Sequence, residues 1–132
     1  MRVHLSSGAG CPFALMDDLL KAVKDIDDLE LLQGLTLPPA PWLNKTLHPG
    51  LKINAVYLDS GLSQLVNAGD ADYTPAHYSE IPDLFRDGTI RVDAALIMVS
   101  PPDEYGYCSL GTTVEWSLAA LETAKVVVAQ LN

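Results

Sequence analysis

The chain has 132 residues, 48% of them apolar, with 17 acidic against 8 basic side chains and a formal net charge of -9. That length supports one domain with a single core, and the acidic balance excludes binding to nucleic acid or an anionic membrane by bulk electrostatics. An anionic ligand must therefore be held by backbone N–H groups or by single cations.

No apolar run approaches the roughly 20 residues that span a bilayer, and Met1-Arg-Val-His-Leu-Ser-Ser-Gly8 lacks the apolar stretch of a signal peptide. The expectation is a cytoplasmic protein without a membrane partner. Cys11 and Cys108 are too few for a disulfide framework and lack zinc-ligand spacing, so reduced thiols are expected.

Arg2–Ser6 alternates as a short strand and runs into Ser7-Gly-Ala-Gly-Cys-Pro12. Phe13, Met16, Leu19, Leu20 and Val23 then recur at helical spacing, with Pro12 suited to the first turn. Leu29–Thr36 reads as a second strand. The three prolines of Leu37-Pro-Pro-Ala-Pro-Trp-Leu-Asn44 open a long loop through Gly50, of the kind that is functional or meets a partner. Lys52–Leu58 is a third strand, followed by a short helix capped by Ser60 and ended near Gly69. Ala71–His77 is a short extended segment at a sheet edge, because Pro75 cannot donate to a ladder. Ser79 precedes a brief helix over 80–86 that Asp87-Gly88 stops.

Val92–Ser100 is apolar on both faces, as expected of a strand buried on both sides. After it comes Pro101-Pro-Asp-Glu-Tyr-Gly-Tyr-Cys-Ser-Leu-Gly111, fixed in φ by two prolines and given turn freedom by Gly106 and Gly111. Thr112 and Glu115 then have capping-box spacing, with Val114, Leu118, Leu121 and Ala124 as the apolar stripe of a last helix. Lys125–Leu131 is the last strand. The alternation predicts an α/β domain with an open, mostly parallel sheet and helices on both faces. Ligands of such sheets bind outside the carboxyl ends of the strands.

Two segments lie at such ends. The Ser7–Pro12 turn can present N–H groups to an anion at a helix start, or can simply pack a strand tightly against its helix. With Phe13 where a dinucleotide fingerprint needs its third glycine, a Rossmann nicotinamide site is not expected. In the loop, Asp103 and Glu104 can orient a substrate or act as bases, or bond their own backbone. Cys108 and Cys11 are candidate thiol nucleophiles or small buried hydrophobes. His4, His48 and His77 share no metal-ligand spacing and read as structural.

Together Ser7-Gly-Ala-Gly-Cys-Pro12, Asp72-Tyr-Thr-Pro75 with Ser79-Glu-Ile-Pro82, and Ser100-Pro-Pro-Asp-Glu-Tyr-Gly-Tyr-Cys-Ser-Leu-Gly111 resemble the amino-terminal domain of the acetyl-CoA hydrolase/transferase family, over residues 1–132 and in matching order. The family is of the family I CoA-transferase type, with members such as 4-hydroxybutyrate CoA-transferases. The resemblance implies a CoA-transferase-like domain whose catalytic partner is a separate carboxyl-terminal domain, with the active site between them.

It also implies a glutamate nucleophile in that second domain, passing through an acyl-glutamyl anhydride and a glutamyl-CoA thioester. None of Glu30, Glu80, Glu104, Glu115 or Glu122 matches its motif, so no catalytic residue is assigned here and the isolated chain is expected to be inactive. The substrates implied are acyl-CoA and a small carboxylate, with water as acceptor in the hydrolases. Coenzyme A enters as substrate; no permanently bound cofactor or metal is expected, and a homo-oligomer is. By resemblance, Gly8, Ala9, Gly10 and Pro12 with Pro101, Pro102, Asp103, Glu104, Gly106, Tyr107, Cys108 and Ser109 form this domain's side of the acyl pocket. Two other readings are a self-associating binding or assembly module presenting the loop around Trp42, and a thiol esterase using Cys108.

Overall fold

A computed structural model describes residues 1–44 and 46–132. Its strands are β1 (Arg2–Leu5), β2 (Glu30–Gln33), β3 (Lys52–Ala55), β4 (Asp72–Tyr73), β5 (Ala94–Val99) and β6 (Val126–Leu131). Its helices are α1 (Phe13–Ala22), α2 (Ser60–Ala68), α3 (Ile81–Arg86) and α4 (Ser117–Thr123). Among the described residues the strands form one sheet in the order β4-β3-β2-β1-β5-β6, every pair parallel. The α/β architecture read from the sequence is the one observed.

Strand alternation sends successive side chains to opposite faces, and each face has its own core. Val3, Leu5, Leu31 and Ile53 meet Met16 of α1 and Leu62 of α2. Leu32 and Val56 meet Phe85 of α3 and Trp116, Ala119 and Ala120 beside and on α4. Burial of a side chain such as Met16 stabilises by about 1.5–3 kcal/mol. β6 covers the edge of β5 but leaves Val126, Val127, Val128 and Leu131 exposed.

Several local expectations are corrected. The cap of α2 is Asp59, not Ser60: its carboxylate accepts the Gly61 and Leu62 N–H groups at 2.8 and 2.9 Å, and Gly69 closes the helix at φ +79°. The Thr112/Glu115 capping box does not form. α4 starts only at Ser117, without a side-chain cap, and Val114 is exposed outside it.

The proline-rich loop through Gly50, of which Lys45 lies outside the described residues, does not offer Trp42 to a partner. A short 3-10 turn over Pro41–Leu43 folds the indole into the core, where it is 1% exposed and its Nε1–H donates to Gln33 Oε1 at 2.9 Å. A buried glutamine carbonyl and the Phe13 ring at 5.9 Å make that seat more favourable than solvent.

No helix among the described residues is long and apolar enough to cross a membrane.

Candidate functional site

The chain leaves β1 for β2 on one side and reaches β5 on the other, so the sheet's topological switch point lies between the carboxyl ends of β1 and β5. The glycine turn follows β1 there and the Pro/Tyr loop follows β5. The two meet at a groove of about 100 Å³, with Ala9 and Gly10 on one wall and Ser100, Ser109 and Thr112 on the other. Ala9, Gly10 and Ser109 are thus brought together from opposite ends of the sequence.

The turn is tight because of what it packs on. Gly8 sits at φ +56°, and a Cβ on Gly10 would lie 2.8 Å from Thr113 Cβ. Three of its N–H groups are already committed: Gly8 to Leu35 O at 2.8 Å, Gly10 to Ser7 O at 3.1 Å and Cys11 to Gly8 O at 3.3 Å. At the start of α1, Phe13 N–H goes to Cys11 O and Ala14 N–H to Gln130 Oε1 of β6. The turn therefore offers an anion fewer donors than its glycines suggest, and its close backbone packing is the reading the geometry favours. Pro12 is buried. Beneath the turn, Ser6, Ser7 and Cys11 help line a narrow crevice with Leu35 and Leu37. Burial pushes the Cys11 thiol up to about 12, leaving it unreactive.

The loop after β5 is stapled by its own polar groups. Asp103 Oδ1 accepts the Tyr105 and Tyr107 N–H groups at 2.9 and 2.8 Å, and Gly106 turns at φ +86°. Ser100 N–H donates to Ser109 O, and Ser109 N–H to Ser100 Oγ, both at 2.9 Å. Asp103 is thus a structural acceptor. Pro101, Pro102, Glu104, Tyr107 and Cys108 stand exposed beyond the groove, Tyr107 at 75%. Cys108 is therefore not a buried hydrophobe, and among the described residues no hydrogen-bonded base activates it.

What the sequence concealed is a clamp joining the two arms. Ser7 Oγ, in a residue 3% exposed, donates to Glu115 Oε2, and Glu115 holds a left-handed backbone at φ +38°. Burial, and then the hydrogen bond to Glu115, raise the Tyr78 phenol to about 12. The Trp116 ring occupies the space where a Cβ on Gly34 would stand, 2.3 Å from Cζ2. The signal was visible as Thr-x-x-Glu spacing, but a carboxylate bonding a hydroxyl 108 residues away leaves no local pattern.

A second buried chain supports the turn from below. His4 Nε2 lies 3.1 Å from Ser117 Oγ, which donates to Ser6 Oγ at 3.2 Å. With the serine proton so used, Nε2 carries the imidazole hydrogen, and Nδ1 is buried without a partner among the described residues. Burial lowers the His4 pKa to about 3. Among the described residues no three His, Cys, Asp or Glu side chains gather as metal ligands.

Residues 1–132 match the family described as acetyl-CoA hydrolase/transferase N-terminal domain. The chain is 34% identical over 131 residues to 4-hydroxybutyrate coenzyme A transferase of Clostridium kluyveri, covering 99% of this chain and 30% of that protein. It is 36% identical over 132 residues to the succinyl-CoA:acetate/propanoyl-CoA:succinate CoA transferase of Fasciola hepatica, covering 98% and 27%. The chain thus spans less than a third of the length of these relatives. The solved 4-hydroxybutyrate CoA-transferase of Porphyromonas gingivalis superposes with a TM-score of 0.76 at 26% identity, over 100% of this chain and 29% of that one. RipA of Yersinia pestis superposes with a TM-score of 0.83 at 23% identity, over 99% and 33%, which shows the shared fold.

Proposed function

Because this chain belongs to the acetyl-CoA hydrolase/transferase family through its amino-terminal domain, we propose that it forms one wall of a CoA-transferase active site, the other wall being a carboxyl-terminal domain that carries a nucleophilic glutamate. The observation that carries this reading is the groove at the switch point, where Ala9 and Gly10 face Ser109 and Thr112. An open α/β sheet binds its ligand at that place.

In the proposed reaction the glutamate attacks the acyl-CoA thioester, giving an acyl-glutamyl anhydride and CoA thiolate. The thiolate attacks the glutamyl carbonyl, releasing the first carboxylate and leaving a glutamyl-CoA thioester. A second carboxylate attacks that thioester and releases the thiolate, which then takes the new acyl group; water in place of the carboxylate gives hydrolysis. This domain's share is to shape the groove and exclude water from the anhydride. Ala9 and Gly10 of the turn and Ser109 of the loop line that groove, Gly8 and Pro12 back it from buried positions, and Pro101–Cys108 stand exposed beside it. The 4-hydroxybutyrate, succinate, acetate and propanoate named for the relatives support short carboxylates as the substrate class of this reading. A cytoplasmic homo-oligomer completes the proposal, and the molar mass in solution tests its assembly.

The deciding experiment incubates the protein with butyryl-CoA and labelled butyrate, with and without the carboxyl-terminal domain of a relative. Label entering the thioester only when that domain is present is the expected result. Full exchange by residues 1–132 alone would place the nucleophile in this chain and overturn the division of labour.

A further inference from the structure

A second concavity lies on the same carboxyl edge, on the far side of β2 from the switch point. Tyr57 after β3, Tyr73 ending β4, and His77 and Tyr78 beyond it line an open cleft of about 360 Å³. The three tyrosines are 44%, 40% and 49% exposed. Tyr57 and Tyr78 stand edge to face at 6.2 Å, and Tyr78 packs on Trp116 at 5.0 Å. Tyr78 also leans on Glu115, the residue that holds Ser7, so the cleft and the glycine turn are joined by one contact chain. From β1 to β4 is three strand intervals, about 14 Å at roughly 4.8 Å each.

Charge is distributed unevenly about the sheet. Arg2, Lys52 and Lys125 stand at the amino ends of β1, β3 and β6, paired with Glu30, Asp28 and Asp93. Arg91 precedes β5. Lys21, Lys24 and Arg86 sit at or just past the ends of α1 and α3, each of which carries the chain from the carboxyl end of one parallel strand back to the amino end of the next. Lys45 lies outside the described residues; every other Lys and Arg thus lies toward the amino edge. The carboxyl edge instead carries Asp59 and Glu115.

A CoA thioester has two unlike parts. Its pantetheine arm is neutral, with two amides, a hydroxyl and a gem-dimethyl group, and runs about 15 Å from sulfur to phosphate at ordinary bond lengths. Its nucleotide end carries several negative charges. Phenol faces and hydroxyls match methyl groups and amides, whereas an edge with carboxylates and no described cation disfavours phosphate. We propose that the cleft of Tyr57, Tyr73 and Tyr78 seats the pantetheine arm of the acyl-CoA, with the nucleotide directed away from this domain. The assignment rests on the CoA-transferase reading above.

Pantetheine and 3′-phospho-ADP, the two halves of CoA, are titrated separately into the isotope-labelled protein while the ring signals of Tyr57 and Tyr73 are followed. Pantetheine is expected to shift both rings, 3′-phospho-ADP neither, and Tyr73→Ala to raise the pantetheine Kd about tenfold, an aromatic contact's worth. Tyr57→Phe, which keeps the ring, is expected to change it less than threefold. Shifts with 3′-phospho-ADP alone, or none with pantetheine up to its solubility, would overturn the assignment. Label exchange is read separately: pantetheine binding at these rings without exchange in the presence of the second domain would sink the transferase reading and leave the cleft standing.

Discussion

His4 makes the stability of the domain depend on pH in a window where few other groups titrate. In the fold its pKa is about 3 against an ordinary value of 6.5, because the ring is fully buried and Nδ1 has no acceptor for a second proton among the described residues. Above pH 6.5 the imidazole is neutral in both states and contributes no slope. Below it the unfolded chain binds a proton that the folded chain refuses, so stability falls as pH falls, by about 1.4 kcal/mol per unit. At pH 5, still above the isoelectric point of about 4.4, the loss amounts to about 2 kcal/mol. With a urea m-value near 1–3 kcal/mol/M, the midpoint moves by roughly 1–2 M. The carboxyl groups of Asp28, Asp87 and Asp93 are held below their usual 3.8, so their contribution is lost only at lower pH. Urea unfolding of wild type and His4→Gln between pH 7.5 and 5 checks this: the glutamine lowers stability by a constant amount and removes most of the slope. Parallel pH profiles for the two proteins would refute the reasoning.

Three further substitutions probe the ground beneath the groove. Gly34→Ala forces a methyl against the Trp116 ring, which is 1% exposed and has little room to yield; a loss of about 1–3 kcal/mol is expected in urea unfolding, and a change under 0.5 would show that the indole repacks freely. Ser7→Ala and Glu115→Gln are expected each to lower stability and, in a double-mutant cycle, to couple by about 1–2 kcal/mol through their hydrogen bond. Additive losses would mean that the two arms of the site are not tied by that pair.

Much of the architecture was legible because it is written at short range. Alternation marked β1, an apolar run marked β5, the spacing of Phe13, Met16 and Leu20 marked α1, and Asp87-Gly88 stopped α3, all from neighbours in sequence. What was not legible depends on distant partners. Trp42 read as a surface residue because its acceptor, Gln33, is identified only once β2 and the Pro41–Leu43 turn are packed together. Thr112 and Glu115 satisfy a capping pattern, yet Glu115 gains a buried hydroxyl by leaving helical geometry, and a carboxylate hydrogen bond outweighs a cap. Of the candidate groove, both flanking segments were read as lying at strand carboxyl ends, and their meeting at the β1/β5 switch follows from topology; the contacts of Ser7, Tyr78 and Glu115 emerge only from the folded chain.

Gln130 on β6 receives the Ala14 N–H at the start of α1, and Val3 pairs in register with Ala94. A ribosome makes the glycine turn more than a hundred residues before Gln130, so the turn waits for a partner that arrives much later. The turn is therefore made early and finished late, and a nascent chain lacking the Gln130 region carries the groove's sequence without its shape.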